Sequence, residues 1–304
     1  MDELLICPLC KSQHNSVFKR IHSFGCALVY YQCKQCLLVF QSANECLASD
    51  PAFYEQTYRL IYQSNEAPTP KDLLIQELRA DHLMQFLMKF GLARVTRVLD
   101  VGASTGELLC AIAKKYNAQP LGVEPSRVYR QFAQAKGVPM VATLDELIHD
   151  APEHFDLITL IHVLEHLVDP LETLLTLRQR LITDNGYLLI EVPNFYTHDS
   201  YELAHLTCFT AHHLREMLRA TGYEIIQEKK HGIPRSKILN LYITFLAKPA
   251  QEIAQTHSIQ GGRFVTAKRQ TGMAYRKILE KALPALAWNP IDPAQHPLSS
   301  YSAE

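Results

Sequence analysis

Four cysteines fall in two short pairs, Cys7-Pro8-Leu9-Cys10 and Cys33-Lys34-Gln35-Cys36. Each C-x-x-C pair offers two thiolates at the bite of one tetrahedral ion. Together Cys7, Cys10, Cys33 and Cys36 make a four-thiolate set for Zn2+. The loop between the pairs has 22 residues, slightly long for such a site. Four protein ligands close the shell and leave no position for catalysis. The ion is therefore read as structural, folding a module too small for its own core. Cys26 and Cys46 are read as buried thiols outside the set.

A second stretch, Val98-Leu99-Asp100-Val101-Gly102-Ala103-Ser104-Thr105-Gly106-Glu107-Leu108, reads as a strand, a Gly-bearing turn and a helix start. Glycines let backbone approach a ligand, and the helix N-terminus offers free N–H groups. Three chemistries use such a turn. A dinucleotide fold needs G-x-G-x-x-G, and here Ser104 and Glu107 break that spacing. A hydrolase elbow, G-x-S-x-G, is formally matched from Gly102 to Gly106. Its Ser would need an oxyanion loop from an earlier strand, whereas only a helix and the cysteine module lie upstream. The third chemistry is S-adenosylmethionine binding.

The elements around this turn alternate. Thr69 as N-cap, Pro70 at N1 and Asp72 in the first turn start a helix that Gly91 ends. Strands are predicted at Arg97–Val101, Leu121–Glu124, Val138–Ala142, Asp156–His162 and Tyr187–Val192. Helices lie between them, one capped by Ser126, another started by Asp169, Pro170 and Glu172. A helix from Thr210 to Ala220 follows. Tyr223–Gln227 and Ile238–Ala247 then come close enough to pair as an antiparallel edge. Short apolar strands alternating with longer helices are the signature of an α/β fold with a mostly parallel sheet.

With these elements in place a resemblance becomes specific. Val98–Gly106 is similar to motif I of class I S-adenosylmethionine-dependent methyltransferases, D/E-x-G-x-G-x-G, with Ser104 in place of the middle glycine. Gly122-Val123-Glu124-Pro125-Ser126 resembles motif II. The stretch Phe155 to Pro170 resembles the family's fourth-strand motif, and Gly186 to Asn194 its fifth strand. The similarity runs from Asp72 to Lys248. It implies a Rossmann-like sheet, mostly parallel with one antiparallel edge strand, and S-adenosylmethionine as cofactor. Asp100, Gly102, Ala103, Ser104 and Gly106 would then form the cofactor turn. Glu124 would accept bonds from the ribose hydroxyls, with Pro125 beside it. Thr143 and Leu144 follow the third strand, where the family places adenine contacts, and His162 would meet the methionine end. With its N-terminal zinc ribbon, the chain resembles the sugar C-methyltransferase and methyltransferase-23-like group.

Methyl transfer is an in-line displacement on a sulfonium, so orientation supplies much of the acceleration. An oxygen or carbon nucleophile also needs a base, and histidine suits neutral pH. Of 14 His, three sit where the carboxyl ends of parallel strands form a ligand crevice: His162, His166 and His205. The segment His205-Leu206-Thr207-Cys208-Phe209-Thr210 is similar to one in zinc-ribbon methyltransferases acting on nucleotide-linked sugars. Several of those carry Glu directly before the His. Here Ala204 stands there, with Glu202 three positions before His205.

The 304 residues are 47% hydrophobic and 20% charged, ordinary for a globular chain, which excludes disorder and collagen-like repeats. A net charge of −1 argues against a general nucleic-acid binder. No apolar run approaches the ~18 residues of a membrane span. The start MDELLICPLC has no basic region of a secretory signal. Eight Cys without such a signal fit a reducing, cytoplasmic compartment.

The expected organisation is a zinc-ribbon module at 1–48, a connector at 49–70, a methyltransferase domain at 71–248 and a partly helical tail at 249–304. The Pro-rich end of that tail is expected to be loose. The expected partner is a small-molecule acceptor, with a nucleotide-linked sugar as the class the resemblance implies. Two alternatives stand beside it: an RNA methyltransferase whose ribbon grips nucleic acid, and a cofactor-binding protein without activity. The sequence does not specify the oligomeric state.

Overall fold

The computed structural model describes residues 5–42, 52–92, 94–150, 154–251 and 259–295. Strands β1 (Asn15–Ser23), β2 (Cys26–Cys33) and β3 (Val39–Gln41) form an antiparallel sheet at the N-terminal end. A connector helix α1 (Tyr58–Gln63) follows, then α2 (Pro70–Met88). The start of α2 is the predicted one. The Thr69 hydroxyl accepts from the Asp72 N–H at 3.2 Å, and the Asp72 carboxylate accepts from the Thr69 N–H at 3.0 Å.

The alternating part runs β4 (Arg97–Val101), α3 (Glu107–Tyr116), β5 (Gln119–Val123), α4 (Arg127–Ala135), β6 (Met140–Val141), α5 (Leu144–Asp150), β7 (Phe155–Ile161), α6 (Pro170–Thr176) and β8 (Ile182–Pro193). Then come β9 (Thr207–Cys208), α7 (Ala211–Ala220), β10 (Tyr223–His231) and β11 (Tyr242–Pro249). Two helices close the described chain, α8 (Val265–Ala282) and α9 (Pro284–Ala287).

Seven strands form the main sheet in the order β10-β11-β8-β7-β4-β5-β6. The strands β4 to β8 are parallel neighbours. β11 runs against β8 and β10 and lies one strand in from the edge, with β10 outside it. Successive strand residues serve opposite faces. Val98, Leu157, Leu189 and Leu246 join the side chains of α2 and α3, whereas Leu99, Ile158, Ile190 and Phe245 join those of α6 and α7. Covering both faces with helices explains why these strands are near-continuous apolar runs. Each fully buried Leu or Ile there contributes roughly 1.5–3 kcal/mol.

The small sheet is not confined to the N-terminal residues. β9 pairs with β3, Phe40 opposite Thr207 and Val39 opposite Cys208, giving the order β1-β2-β3-β9. The segment that carries His205 is thereby fastened to the cysteine module.

Three sequence expectations shift. Ser126 occupies the N-cap of α4 without a side-chain cap bond, and its N–H donates to Glu124. The last strand begins at Tyr242 rather than Ile238. Just ahead of it the Leu241 carbonyl accepts from the Asn194 N–H in the same register, and the Asn240 carbonyl is taken by the Asn194 side chain. The end of the chain is packed as far as it is described. Arg269 is buried and donates to the carbonyls of Phe195 and His198, Arg276 donates to the Thr197 carbonyl, and Ala287 is fully buried. The expected end of the ribbon module, and Cys46, lie outside the described residues.

Candidate active site and cysteine cluster

The two cysteine knuckles share one backbone form. The Lys11 N–H donates to the Cys7 carbonyl and the Leu37 N–H to the Cys33 carbonyl, both at 3.0 Å. Lys11 and Leu37 both have positive φ, which turns the chain after each pair. Cys7 and Cys36 Sγ lie 3.5 Å apart, as do Cys10 and Cys33 Sγ. A tetrahedron of thiolates around Zn2+ has edges of about 3.8 Å, so the four sulfurs fit one ion with little movement. Cys26 is half-buried and outside this group.

The strand order reverses between β4 and β7, and the crevice opens at their carboxyl ends. On one side lies the glycine turn. Gly102 has φ +78°, and a Cβ there would come within 2.3 Å of Val163 Cγ2, so a side chain would be strained and would force Val163 to move. Ser104 also adopts a positive φ, 52°, where the resemblance expects glycine. Gly106, at φ +84°, leads into α3. The Ser104 hydroxyl is buried and has no hydrogen-bond partner among the described residues. Among the described residues no histidine is bonded to it, so the hydrolase elbow is not assembled there. Ala103 is buried in the same turn.

Glu124 is held by backbone. Its carboxylate accepts from the Ser104 and Ser126 N–H groups, each at 3.0 Å. Arg59 of α1 reaches it at 3.5 Å and stacks over Tyr129. Arg130 donates to the carbonyls of Glu124 and Pro125 and fixes this corner. Asp100 is buried and accepts from the Thr159 hydroxyl at 2.5 Å. Burial pushes its carboxyl up to about 7, against the Thr159 bond. Thr143 is exposed, and its hydroxyl caps α5 by accepting from Glu146 N–H. Leu144 is the half-buried first residue of that helix.

This turn suits an adenosyl cofactor. A buried, unpartnered hydroxyl, a pre-set carboxylate and a helix N-terminus face one crevice. Asp100, Gly102, Ala103, Ser104, Gly106, Glu124 and Pro125 are brought together there.

The histidines occupy the other side. His162 ends β7 in a left-handed conformation, φ 56°. Its Nε2 lies 3.2 Å from Glu191 Oε1 and its Nδ1 3.3 Å from Glu165 Oε1. His166 donates from Nδ1 to the Ala204 carbonyl at 2.8 Å, which leaves Nε2 facing Glu165 Oε1 at 3.9 Å. The rings of His166 and His205 are 5.1 Å apart. His205 Nε2 lies 3.7 Å from Glu202 Oε2. All three predicted histidines thus meet. Burial lowers His166 to about 4 and lowers His205, so both are neutral near pH 7. Burial raises Glu202 to about 7.

The ribbon positions this group. Buried Gln41 donates from Nε2 to the carbonyls of His205 at 2.7 Å and Glu202 at 2.9 Å. Tyr30 donates to the Glu202 carbonyl at 2.8 Å. Tyr54 and Tyr58, from the connector, set their rings edge-on to His166. A cleft beside Glu202 is lined by His198, Asp199, Arg235, Arg276 and Trp288.

Four residues of the site escaped sequence reasoning: Glu165, Glu191, His231 and Arg59. Glu191 is fully buried and accepts from Thr244 at 2.9 Å, with His231 Nε2 at 3.0 Å and Arg79 Nε at 3.5 Å. Burial raises its carboxyl, but the His162 and His231 bonds outweigh that and hold it well below the usual range. Its signal was a lone carboxylate in the apolar run Leu188-Leu189-Ile190-Glu191-Val192. Glu165 had a signal as well, standing between two histidines in His162-Val163-Leu164-Glu165-His166.

Among the described residues, no helix is long and apolar enough to cross a membrane. The chain is similar to the ubiquinone biosynthesis O-methyltransferases of Yersinia pestis and Yersinia pseudotuberculosis, at 28% identity over 126 residues. That covers 40% of this chain and 50% of each relative, so the chain spans about half the length of the curated relatives it matches. Among solved structures, it is similar to an S-adenosylmethionine-dependent methyltransferase from Clostridium acetobutylicum, at 12% identity and TM-score 0.46 over 64% of this chain and 96% of that one. A SAM-dependent methyltransferase from Archaeoglobus fulgidus matches at 19% identity and TM-score 0.46, over 58% of this chain and 98% of that one. The methyltransferase-23 family pattern, a methyltransferase domain, matches residues 75–228, half of the chain. The chain belongs to this family of class I S-adenosylmethionine-dependent methyltransferases.

Proposed function

We propose that this chain transfers the S-adenosylmethionine methyl group to a hydroxylated small molecule, with a nucleotide-linked sugar as the acceptor class. When bound, the cofactor supplies an activated methyl on a sulfonium. Asp100, Gly102, Ser104, Gly106 and Glu124 hold it, Glu124 through the ribose. Cys7, Cys10, Cys33 and Cys36 hold a structural Zn2+.

The observation that carries the reading is the convergence of His162, His166 and His205 at the carboxyl end of β7, across the crevice from the glycine turn. This cluster removes the acceptor's proton. Neutral imidazoles are ready to accept one, and Glu202, 3.7 Å from His205 Nε2, lines the polar cleft. The cleft's acids and arginines suit an acceptor with several hydroxyl groups. Gln41 and Tyr30 fix the loop that carries His205, so the ribbon positions the histidine cluster rather than grips the substrate.

A mass-spectrometric screen tests this. The protein is incubated with S-adenosylmethionine and, separately, sugar nucleotides, small hydroxylated metabolites and RNA. Growth of a singly methylated sugar nucleotide is expected. Methylation of RNA alone would overturn the acceptor assignment, and calorimetry without cofactor binding would overturn the activity.

A further inference from the structure

Glu165, His166 and His205 offer a carboxylate oxygen and two imidazole nitrogens that all lie within 4.8 Å of one another. Glu165 is 1% exposed, and neither of its oxygens receives a hydrogen bond of good geometry among the described residues. A carboxylate withdrawn from water is strongly destabilised unless positive charge or donors compensate it. Of the two neighbouring imidazoles, His162 brings Nδ1 to 3.3 Å of Oε1, and His166 does not supply a proton in this arrangement. His166 spends its Nδ1–H on the Ala204 carbonyl, so a lone pair on Nε2 faces Glu165. A lone pair directed at a carboxylate is repulsive unless something positive lies between them. An Nδ1–H bonded to a backbone carbonyl is also how metal-ligating imidazoles are oriented.

We propose that Glu165, His166 and His205 hold a divalent transition-metal cation that binds the acceptor's hydroxyl oxygen. Two imidazoles and one carboxylate suit a first-row ion such as Zn2+, Mn2+ or Fe2+ better than Mg2+ or Ca2+, and they leave coordination positions open. The site is the opposite of the cysteine set, whose four thiolates close the shell.

The inference rests on the reading that the acceptor meets the cofactor at this cluster, and it says how the proton is lost. The acceptor oxygen takes an open position on the cation, which lowers the pKa of its hydroxyl. The proton passes to His162, whose Nδ1 lies 3.3 Å from Glu165 Oε1. The oxygen's electron pair forms the new O–CH3 bond while the S–CH3 bond breaks, its pair returning to sulfur as a neutral thioether. His205 is then a ligand, and His162, backed by Glu191, receives the proton.

The experiment uses the full chain carrying one Zn2+ in the cysteine set. Metal content is measured, and Mn2+ is titrated with its free electron-paramagnetic-resonance signal as readout. One further ion per chain is expected, either retained as a second metal or taken up as Mn2+. Glu165→Gln and His166→Ala should weaken that uptake at least about tenfold while calorimetry shows the cofactor still bound. His212→Ala, on a half-buried ring outside the cluster, should leave it unchanged. A wild-type chain that binds S-adenosylmethionine but takes up no second ion overturns the proposal and spares the methyltransferase reading. Uptake unaffected by both cluster variants also overturns it. Uptake without cofactor binding would overturn the functional reading instead.

Discussion

The two sides of the crevice are built on different principles. The cofactor side is local. Asp100, Ser104 and Glu124 sit on one strand–turn–helix–strand unit, and backbone N–H groups two and twenty residues away from Glu124 satisfy its carboxylate. The histidine side is assembled from distant pieces. His162 and Glu165 follow β7, His205 precedes β9, and Gln41 from the ribbon holds the His205 carbonyl at 2.7 Å. On one side the buried carboxylate, Glu124, is met by backbone N–H groups, whereas on the other the buried Glu165 carboxylate receives no hydrogen bond of good geometry among the described residues. The difference teaches where substitutions act: on the first side they change binding and folding, on the second they change turnover.

The largest effect that separates the sides is on catalysis. His205→Ala should lower kcat by about 10^2–10^4-fold, the range for losing a positioned proton-transfer group or its equivalent. Cofactor affinity by calorimetry should be almost unchanged. Gln41→Ala should move kcat in the same direction but less, because the loop keeps its β3–β9 pairing. If both variants turn over at the wild-type rate, the comparison breaks and the chemistry lies elsewhere in the crevice.

Gly102→Ala probes the cofactor side. The new methyl would meet Val163 Cγ2 at 2.3 Å in a backbone region that L-residues resist. A loss of about 2–4 kcal/mol in unfolding stability is expected, from overpacking and positive φ together. Adding Val163→Ala should recover the steric part and leave the φ part. Full recovery would show that the turn is not conformationally demanding.

How much of this was legible follows from the same contrast. The glycine turn, the Thr69 and Asp169 caps and the strands β4, β7 and β8 depend on neighbours in sequence, so residue type and spacing announced them. Glu165 stood inside a recognisable string, but its role appears only when β9 joins β3 and brings His205 across. The packing of the chain's end was hidden for a like reason. Arg269 and Arg276 are fastened by carbonyls of the 195–198 loop, and carbonyls look alike in every sequence. The residues ahead of β11 were hidden for the same reason, since the Asn240 carbonyl is taken by the side chain of Asn194, 46 positions earlier.

Acid titration of the protein without cofactor, and with no ion at Glu165, His166 and His205, should show the two sides with opposite signs. Asp100 is raised to about 7, so its contribution to stability is present below about pH 4 and is lost as pH rises through 7. His166 is lowered to about 4, so the folded state excludes a proton that the unfolded chain takes below about pH 6.5. Its contribution is lost as pH falls from about 6.5 to 4. Asp100→Asn should therefore stabilise the protein near pH 8 relative to wild type, and His166→Asn should flatten the loss at acid pH. Each effect is worth a few kcal/mol at most, since a tenfold change in proton affinity is about 1.4 kcal/mol. Denaturant midpoints at several pH values read both. Equal pH dependence in all three proteins would remove this contrast.

The smallest effect concerns Glu124. If its carboxylate receives the ribose hydroxyls, Glu124→Ala should weaken S-adenosylmethionine binding by about 1–3 kcal/mol, the scale of hydrogen bonds to a charged acceptor. The variant also frees the Ser104 and Ser126 N–H groups, so a loosened turn would add to the loss. Glu124→Gln separates the two causes. Its amide oxygen can still accept one of the backbone N–H groups, whereas the negative charge facing Arg59 is gone. Binding by Glu124→Gln should fall between wild type and Glu124→Ala while its unfolding midpoint stays near wild type. An unchanged affinity in both would leave Glu124 as a brace for the turn, and the cofactor side would then recognise its ligand through the Gly102–Gly106 backbone alone.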